Sequence, residues 1–288
     1  MKKKTILLVV LLLVGSLMLS SCGLFKKKYT LNFKLQKGDK LDYNLNIDNK
    51  VTMEMPQEKK DPAIPQEADI IMNSDLIQDV TNVDKEGIIT INTTLQLNEV
   101  MLVVGDKKHK MPAEKHDMVY TIKMNKYGKV IDATFKTDSQ SSQPLQKQMD
   151  QVAASFPEKP VGLGETWTKE NKLDYPIPGQ KPLELSYIIN YTLKNIEKYK
   201  NEQCAVINVS GKFDEVFNEK NGKVKGFEFL ISGNVDGNIY WSLEKGRLLK
   251  SESNINTSQT ITVNPVRKSD KPQTINQGMK MSVKQELK

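Results

Sequence analysis

Apolar and polar residues alternate along most of this chain, and that pattern restricts its fold more than any other feature. The alternation occupies residues 31–35, 41–47, 120–124, 183–193, 239–243 and 279–283. A period of two places every second side chain on one face, as in half-buried antiparallel strands. Asn221-Gly222 and Asp236-Gly237 are hairpin dipeptides, and Gly128 and Gly246 occupy similar settings. We therefore predict a mainly β protein of antiparallel curved sheets or a sandwich.

One stretch has a helical period instead. Leu145, Met149, Val152 and Phe156 recur at that spacing, and Pro157 follows them. The pattern predicts one helix near 144–156, ending before the proline. The segment from Gly105 to Asp117 is polar and predicts a loop.

Short segments in the two halves of the chain resemble each other. Val80–Lys85 is similar to Leu193–Lys198, Lys126–Val130 to Glu244–Leu248, and Gly38–Leu41 to Gly164–Trp167. They follow the same order along the chain, although their offsets differ. This predicts two duplicated β units, 30–143 and 164–288, joined by a helix and linker at 144–163. Chance likeness among hairpins is the alternative.

The N-terminus has the features of a secretion signal. Three lysines, Lys2 to Lys4, precede an apolar run from Ile6 to Leu19, which is shorter than the roughly 20 residues that span a bilayer. The run ends in Leu19-Ser20-Ser21-Cys22, which resembles a bacterial lipobox.

That resemblance implies cleavage between Ser21 and Cys22, with 1–21 as signal peptide and 22–29 as a lipidated tether. Cys22 would carry the acyl groups, including palmitate, and anchor the protein to a bacterial membrane outside the cytoplasm. An ordinary signal peptide and an uncleaved anchor are the alternatives.

Composition excludes several function classes. The chain has 288 residues and a formal net charge of +7, but Arg247 and Arg267 are its only arginines. Nucleic-acid recognition favours arginine, so we expect no nucleic-acid partner. His109 and His116 are the only histidines, and we expect neither a metal nor a cofactor. Cys204, the second cysteine, is expected to be a small buried side chain.

Catalytic motifs are also missing. Ser242-Leu243-Glu244-Lys245 matches Ser-x-x-Lys, but that chemistry needs a helix and these residues run from a strand into a turn. We therefore expect no catalytic residue and no enzyme. Trp167 and Trp241 are either core aromatics or ligand-stacking residues, and both alternatives stay open.

The segment Pro-x-Lys-Pro-Val-x-x-Gly-Glu-Thr-Trp, from Pro157 to Trp167, resembles an uncharacterised family of bacterial lipoproteins with a domain of unknown function. The resemblance implies no activity. We expect a membrane-anchored, non-catalytic module that binds an apolar or lipid-like ligand. The alternatives are a structural or interaction protein of the cell envelope, with an envelope protein as partner, and an unfamiliar envelope hydrolase.

Overall fold

The chain folds almost entirely into β-strands, as the alternation predicted. The computed structural model describes residues 27–56, 65–111, 117–136, 149–150, 153, 155–175, 182–218, 226–263 and 272–288. Their strands are β1 (Lys28–Tyr29), β2 (Lys40–Glu54), β3 (Glu67–Val83), β4 (Ile89–Val104), β5 (Lys107–Met111), β6 (Met118–Met124), β7 (Val130–Phe135), β8 (Val161–Gly162), β9 (Thr166–Tyr175), β10 (Leu183–Tyr199), β11 (Glu202–Phe217), β12 (Phe227–Ser242), β13 (Leu248–Val263) and β14 (Gln273–Leu287).

Twelve of the strands form one antiparallel sheet. Its order is β7-β6-β4-β3-β2-β14-β13-β12-β11-β10-β9, and β5 pairs with the far half of β4. Strands β1 and β8 form a separate two-stranded ribbon. Within the described ranges β7 and β9 do not pair, so the large sheet is open.

The sheet is strongly curved. The amide of Phe33 donates to the carbonyl of Lys126 at 2.8 Å, and the next amide, of Lys34, donates to the carbonyl of Gly246 at 3.2 Å. Those carbonyls belong to the β6–β7 and β12–β13 turns, which a flat sheet would hold about 29 Å apart, six strand spacings. Two consecutive residues bridge them, so the sheet is rolled and this end of it is drawn together.

Residues 30–36 do not form the strand that their alternation predicted. Leu31 and Leu35 are buried at 1% and 6% exposure, and Phe33 is partly buried beside them. The amides of Phe33 and Lys34 bond to turn carbonyls rather than to a neighbouring strand. The segment is therefore an extended plug that closes one end of the rolled sheet, which we call the closed end.

The linker connects the two open edges of the sheet. The amide of Phe156 donates to the carbonyl of Tyr127, beside β7, at 2.9 Å, and Trp167 Nε1 on β9 donates to the carbonyl of Ser155 at 2.8 Å. Most of the predicted helix near 144–156 lies outside the described residues. Within them Met149 and residue 150 are helical, and the amide of Ala153 donates to the carbonyl of Met149 at 2.9 Å.

A tight turn at the start of β2 has a distinctive set of hydrogen bonds. The amide of Gly38 donates to the carbonyl of Val80 at 2.8 Å, and the amide of Val80 donates to the carbonyl of Asp39 at 2.9 Å. The amide of Gln36 donates to Asp39 Oδ2 at 2.7 Å. Gly38 has a φ of 96°, which favours glycine.

The start of β9 repeats this arrangement. The amide of Gly164 donates to the carbonyl of Leu193 at 2.7 Å, and the amide of Leu193 donates to the carbonyl of Glu165 at 3.1 Å. The amide of Gly162 donates to Glu165 Oε2 at 2.9 Å. These are two of the segments whose sequences resemble each other, and each lies beside a register shift, at Val80 and at Leu193.

Two predicted features are wrong. Asp236-Gly237 lies inside β12 rather than in a hairpin turn. The glycine serves a close approach between strands instead of a turn, because a Cβ on Gly237 would lie 2.3 Å from the carbonyl oxygen of Glu252 on β13. Residues 107–111 form β5 rather than a loop, since they pair with the far half of β4. The Asn221-Gly222 turn lies outside the described residues.

Candidate ligand-binding face

One face of the sheet contacts the plug, and we call it the inner face. Tyr43 and Leu41 of β2 share a buried cluster with Leu35 of the plug. Side chains alternate along a strand and cross-strand partners lie on the same face. The register therefore assigns the inner face: on β2 it carries Leu41, Tyr43, Leu45, Ile47, Asn49, Val51 and Met53.

The inner face lacks charge over a wide area. On β3, β2, β14, β13 and β12 no inner-face position in the described residues holds Asp, Glu, Lys or Arg. The outer face of the same strands is charged, with Asp48 and Lys50 on β2 and Lys280 and Lys284 on β14. Inner-face charges appear only beyond these strands, for example Lys169 on β9 and Glu215 on β11.

Part of the inner face is filled by buried side chains. At the closed end, two clusters that include Tyr43 and Trp241 pack against the plug. At the other end of β10, β11 and β12, a third cluster includes Phe217 and Phe229, which stack with ring centroids 5.9 Å apart. These strands thus fill their own inner face with aromatic side chains.

The remaining inner face is aliphatic and only half-buried. We define the aliphatic face as Ile47, Val51, Met53, Ile70, Met72, Val100, Leu102, Ile255, Met279, Met281 and Val283. Neutral polar residues such as Asn49 and Thr257 lie among them. In the part of the chain that is described, none of the eleven belongs to a buried cluster or packs against one.

The register also gives the dimensions of this surface. Six residue steps separate Ile47 from Met53, which is about 20 Å along a strand, and the five strands from β13 to β4 are about 19 Å wide. A separate depression of about 730 Å³ lies on β11 and β12, lined by Lys212, Phe213, Asp214, Ser232, Gly233 and Asn234. Four of those six residues are polar or charged, so it differs in chemistry from the aliphatic face.

The two tryptophans lie at the closed end, in one hydrophobic cluster. Trp241 is 1% exposed, and its ring lies 4.7 Å from Phe33 and 4.5 Å from Phe156. Trp167 is half-buried and stacks on Tyr191 at 5.6 Å. Burial raises the pKa of Tyr191 to about 12. Neither tryptophan belongs to the aliphatic face.

Ser242 and Lys245 meet at a buried carboxylate, a contact that the Ser-x-x-Lys pattern alone did not suggest. Glu202 accepts hydrogen bonds from Ser242 Oγ at 2.6 Å, Lys245 Nζ at 2.8 Å and Arg247 at 2.8 Å. Burial alone would raise the pKa of Glu202, but these three donors outweigh it and lower the pKa to about 2. Ser242 is fully buried, so the cluster joins β11 to the β12–β13 turn and presents no nucleophile.

A second buried charge fixes the linker. Lys169 Nζ on β9 donates to the carbonyl oxygens of Asp150 and Ala153 and lies 3.8 Å from the Asp150 carboxylate. The other carboxylate oxygen of Asp150 accepts from the amide of Val130 on β7 at 3.1 Å. Burial lowers the pKa of Lys169, and the Asp150 carboxylate offsets part of this effect. The pair thus links β7, the linker and β9.

Other residues singled out from the sequence are separate from these sites. Ser21, Cys22 and His116 lie outside the described residues, and His109 lies on β5. Cys204 is buried and unpaired, and burial raises the pKa of its thiol. The described residues contain no group of three or more His, Cys, Asp or Glu placed to hold a metal ion. Nor do they contain a helix long and apolar enough to cross a bilayer.

Comparison with known proteins adds a family without an assigned activity. Residues 133–248 match the model of DUF6263, a family of unknown function. The matched range runs from β7 to the start of β13 and includes both tryptophans and the Glu202 cluster. All members of the aliphatic face lie outside it. No curated protein matches the chain.

Proposed function

We propose that this chain is a membrane-anchored binding protein that holds an apolar, lipid-like ligand on the aliphatic face. The observation that carries the proposal is the uncharged inner face of β4, β3, β2, β14 and β13, whose aliphatic side chains outside the buried clusters remain half-buried. A surface of about 20 by 19 Å is roughly 400 Å². Apolar patches of this size on a soluble surface commonly mark interaction sites.

The composition of the face suits a flexible hydrocarbon ligand. Met53, Met72, Met279 and Met281 contribute four of its eleven side chains. Methionine is unbranched and adapts its shape to irregular apolar partners. Covering about 400 Å² at roughly 25 cal/mol per Å² gives an upper limit of about 10 kcal/mol before the costs of binding are subtracted. The surface is therefore large enough for useful affinity.

The anchor would determine which end of the fold faces the membrane. After cleavage before Cys22, only the five residues 22–26 would precede Lys27, and five residues span at most about 18 Å. Strand β1 then pairs with β8 at the closed end. The anchor would hold the closed end near the bilayer, and the far ends of the long strands lie about 50 Å away.

The proposal is tested with a fluorescent fatty acid and two variants of β14. Met281→Glu places a carboxylate on the aliphatic face, and Ser282→Glu places the same charge on the exposed outer face one residue away. We expect Met281→Glu to weaken binding at least tenfold, because an ionised carboxylate against hydrocarbon is strongly unfavourable. Ser282→Glu should change affinity less than twofold. Equal effects of both variants, or no binding by the unmodified protein, would contradict the proposal.

The anchor is tested by Cys22→Ala. We expect this variant to lose its acyl groups and leave the membrane fraction, as measured by fractionation and intact mass. If it stays membrane-bound without acyl groups, residues 6–19 are an uncleaved anchor and the lipobox interpretation is wrong.

A further inference from the structure

Strand β5 brings basic side chains to one border of the aliphatic face. Its register pairs Val100 with Met111, Leu102 with His109, and Val104 with Lys107. Cross-strand partners share a face, and Leu102 and Val100 lie on the inner face. His109 and Lys107 therefore lie on the same side as the aliphatic face, at its β4 border, and both are exposed.

Within the described residues, only part of the positive charge on β5 is paired. Lys110, on the outer side of β5, pairs with Glu99 at 3.0 Å. Lys107 and its neighbour Lys108 form no ion pair with any residue in the described ranges, and Asp106 in the adjoining turn is the nearest acidic neighbour in sequence. A lysine here can lay its hydrocarbon stem along apolar surface and keep its ammonium group in water.

The opposite border has a different character. The β6–β7 and β12–β13 turns have similar sequences, and the strands before them pair in a similar way. Met124 of β6 pairs with Ile89 of β4, and Trp241 of β12 pairs with Ala205 of β11. Strand β12 therefore corresponds to β6 and β5 together. At the end of β12 that lies away from the plug, the inner face carries Phe227, Phe229 and Ile231 rather than basic residues. On β11, the next strand, the inner face carries the carboxylate of Glu215. Of these two described borders, the β5 border is therefore the one that favours an anionic group.

The width of the face indicates more than one hydrocarbon chain. Half of a bilayer's hydrocarbon core, the length of one lipid chain, is about 15 Å, and the face is about 20 Å long and 19 Å wide. A single chain would leave much of the face exposed. We infer that the ligand is an anionic lipid with two acyl chains on the aliphatic face and its head group beside Lys107 and His109. This inference rests on the proposed function.

The test is a competition measured by native mass spectrometry of the detergent-solubilised, acylated protein. Equal amounts of phosphatidylglycerol and phosphatidylcholine are offered together, and the two complexes are counted. We expect at least fivefold more of the phosphatidylglycerol complex. Lys107→Gln together with His109→Gln should bring the ratio close to one, whereas Lys108→Gln, on the outer side of the same strand, should leave it unchanged.

Two further arms complete the test. Lysophosphatidylglycerol, with one chain, should compete at least fivefold less well than phosphatidylglycerol, and excess inorganic phosphate should not displace the lipid. Equal binding of the two diacyl lipids, an equal effect of Lys108→Gln, equal competition by the one-chain lipid or displacement by phosphate would each overturn the inference and leave the proposed function standing. Binding of none of these lipids by the unmodified protein would overturn both.

Discussion

Replacing Glu202 with glutamine should destabilise the fold in a pH-dependent way. The side chain is 11% exposed and accepts hydrogen bonds from Ser242, Lys245 and Arg247. Its pKa falls from 4.5 to about 2, which corresponds to roughly 3 kcal/mol of stabilisation. Lys245 is half exposed, so water screens part of its attraction and we expect about 2 kcal/mol.

The sign of the pH dependence follows from the lowered pKa. The carboxylate stabilises the folded state fully above its ordinary pKa of 4.5, and this contribution disappears as the pH falls towards 2. At pH 7 the free energy of unfolding of Glu202→Gln should therefore be about 2 kcal/mol below that of the unmodified protein. Near pH 2 the difference should fall to about 0.5 kcal/mol, since Glu202 is then about half protonated in the folded state and almost fully protonated in the unfolded state.

Urea unfolding followed by circular dichroism at pH 7, 4.5, 3 and 2 measures this difference. Glu197→Gln is the matched control, because Glu197 is an exposed carboxylate on β10 and its loss should cost less than about 0.5 kcal/mol. The reasoning is refuted if the two variants are equally stable at pH 7. It is also refuted if the deficit of Glu202→Gln persists unchanged at pH 2.

Two other changes test the packing of the sheet by the same urea titration. Trp241→Ala should lower the free energy of unfolding by about 3–5 kcal/mol, because it empties the largest fully buried site at the closed end; a loss below 1 kcal/mol would contradict this. Gly237→Ala should cost about 2 kcal/mol, since its Cβ would lie 2.3 Å from the backbone oxygen of Glu252. Gly278→Ala should cost less than 1 kcal/mol, because its Cβ would approach the rotatable hydroxyl of Thr52 at 2.6 Å and not a backbone atom. Equal losses of stability for the two glycine variants would contradict this reasoning.

The sequence was informative wherever structure is local. Alternation predicted β2, β6, β10 and β14 because each strand has one apolar face. It failed at residues 30–36, where the same pattern serves an extended plug whose amides bond to two distant turns. The hairpin turn predicted from Asp236-Gly237 is also wrong, because a close approach to β13 is a property of the partner strand and not of the local dipeptide.

The candidate site was only partly visible in the sequence. The absence of charge at every second position of β2 and β14 can be read directly from the chain. The order of the strands in the sheet cannot be read from the chain, because the pairing of Met281 with both Asn49 and Ile255 depends on contacts between distant segments. The basic border was hidden for the same reason, since residues 107–111 resemble a polar loop until β4 is beside them.

The pairing of β2 with β14 has a consequence for how this protein is made. The first long strand cannot complete its hydrogen bonds until the last one has been synthesised, because Tyr43 pairs with Leu287 at the other end of the chain. Contacts so distant in sequence slow folding. Until then the unpaired edge of β2 is a template for other chains. The edge of β2 would therefore need protection, by a chaperone or by rapid synthesis, until β14 is available to pair with it.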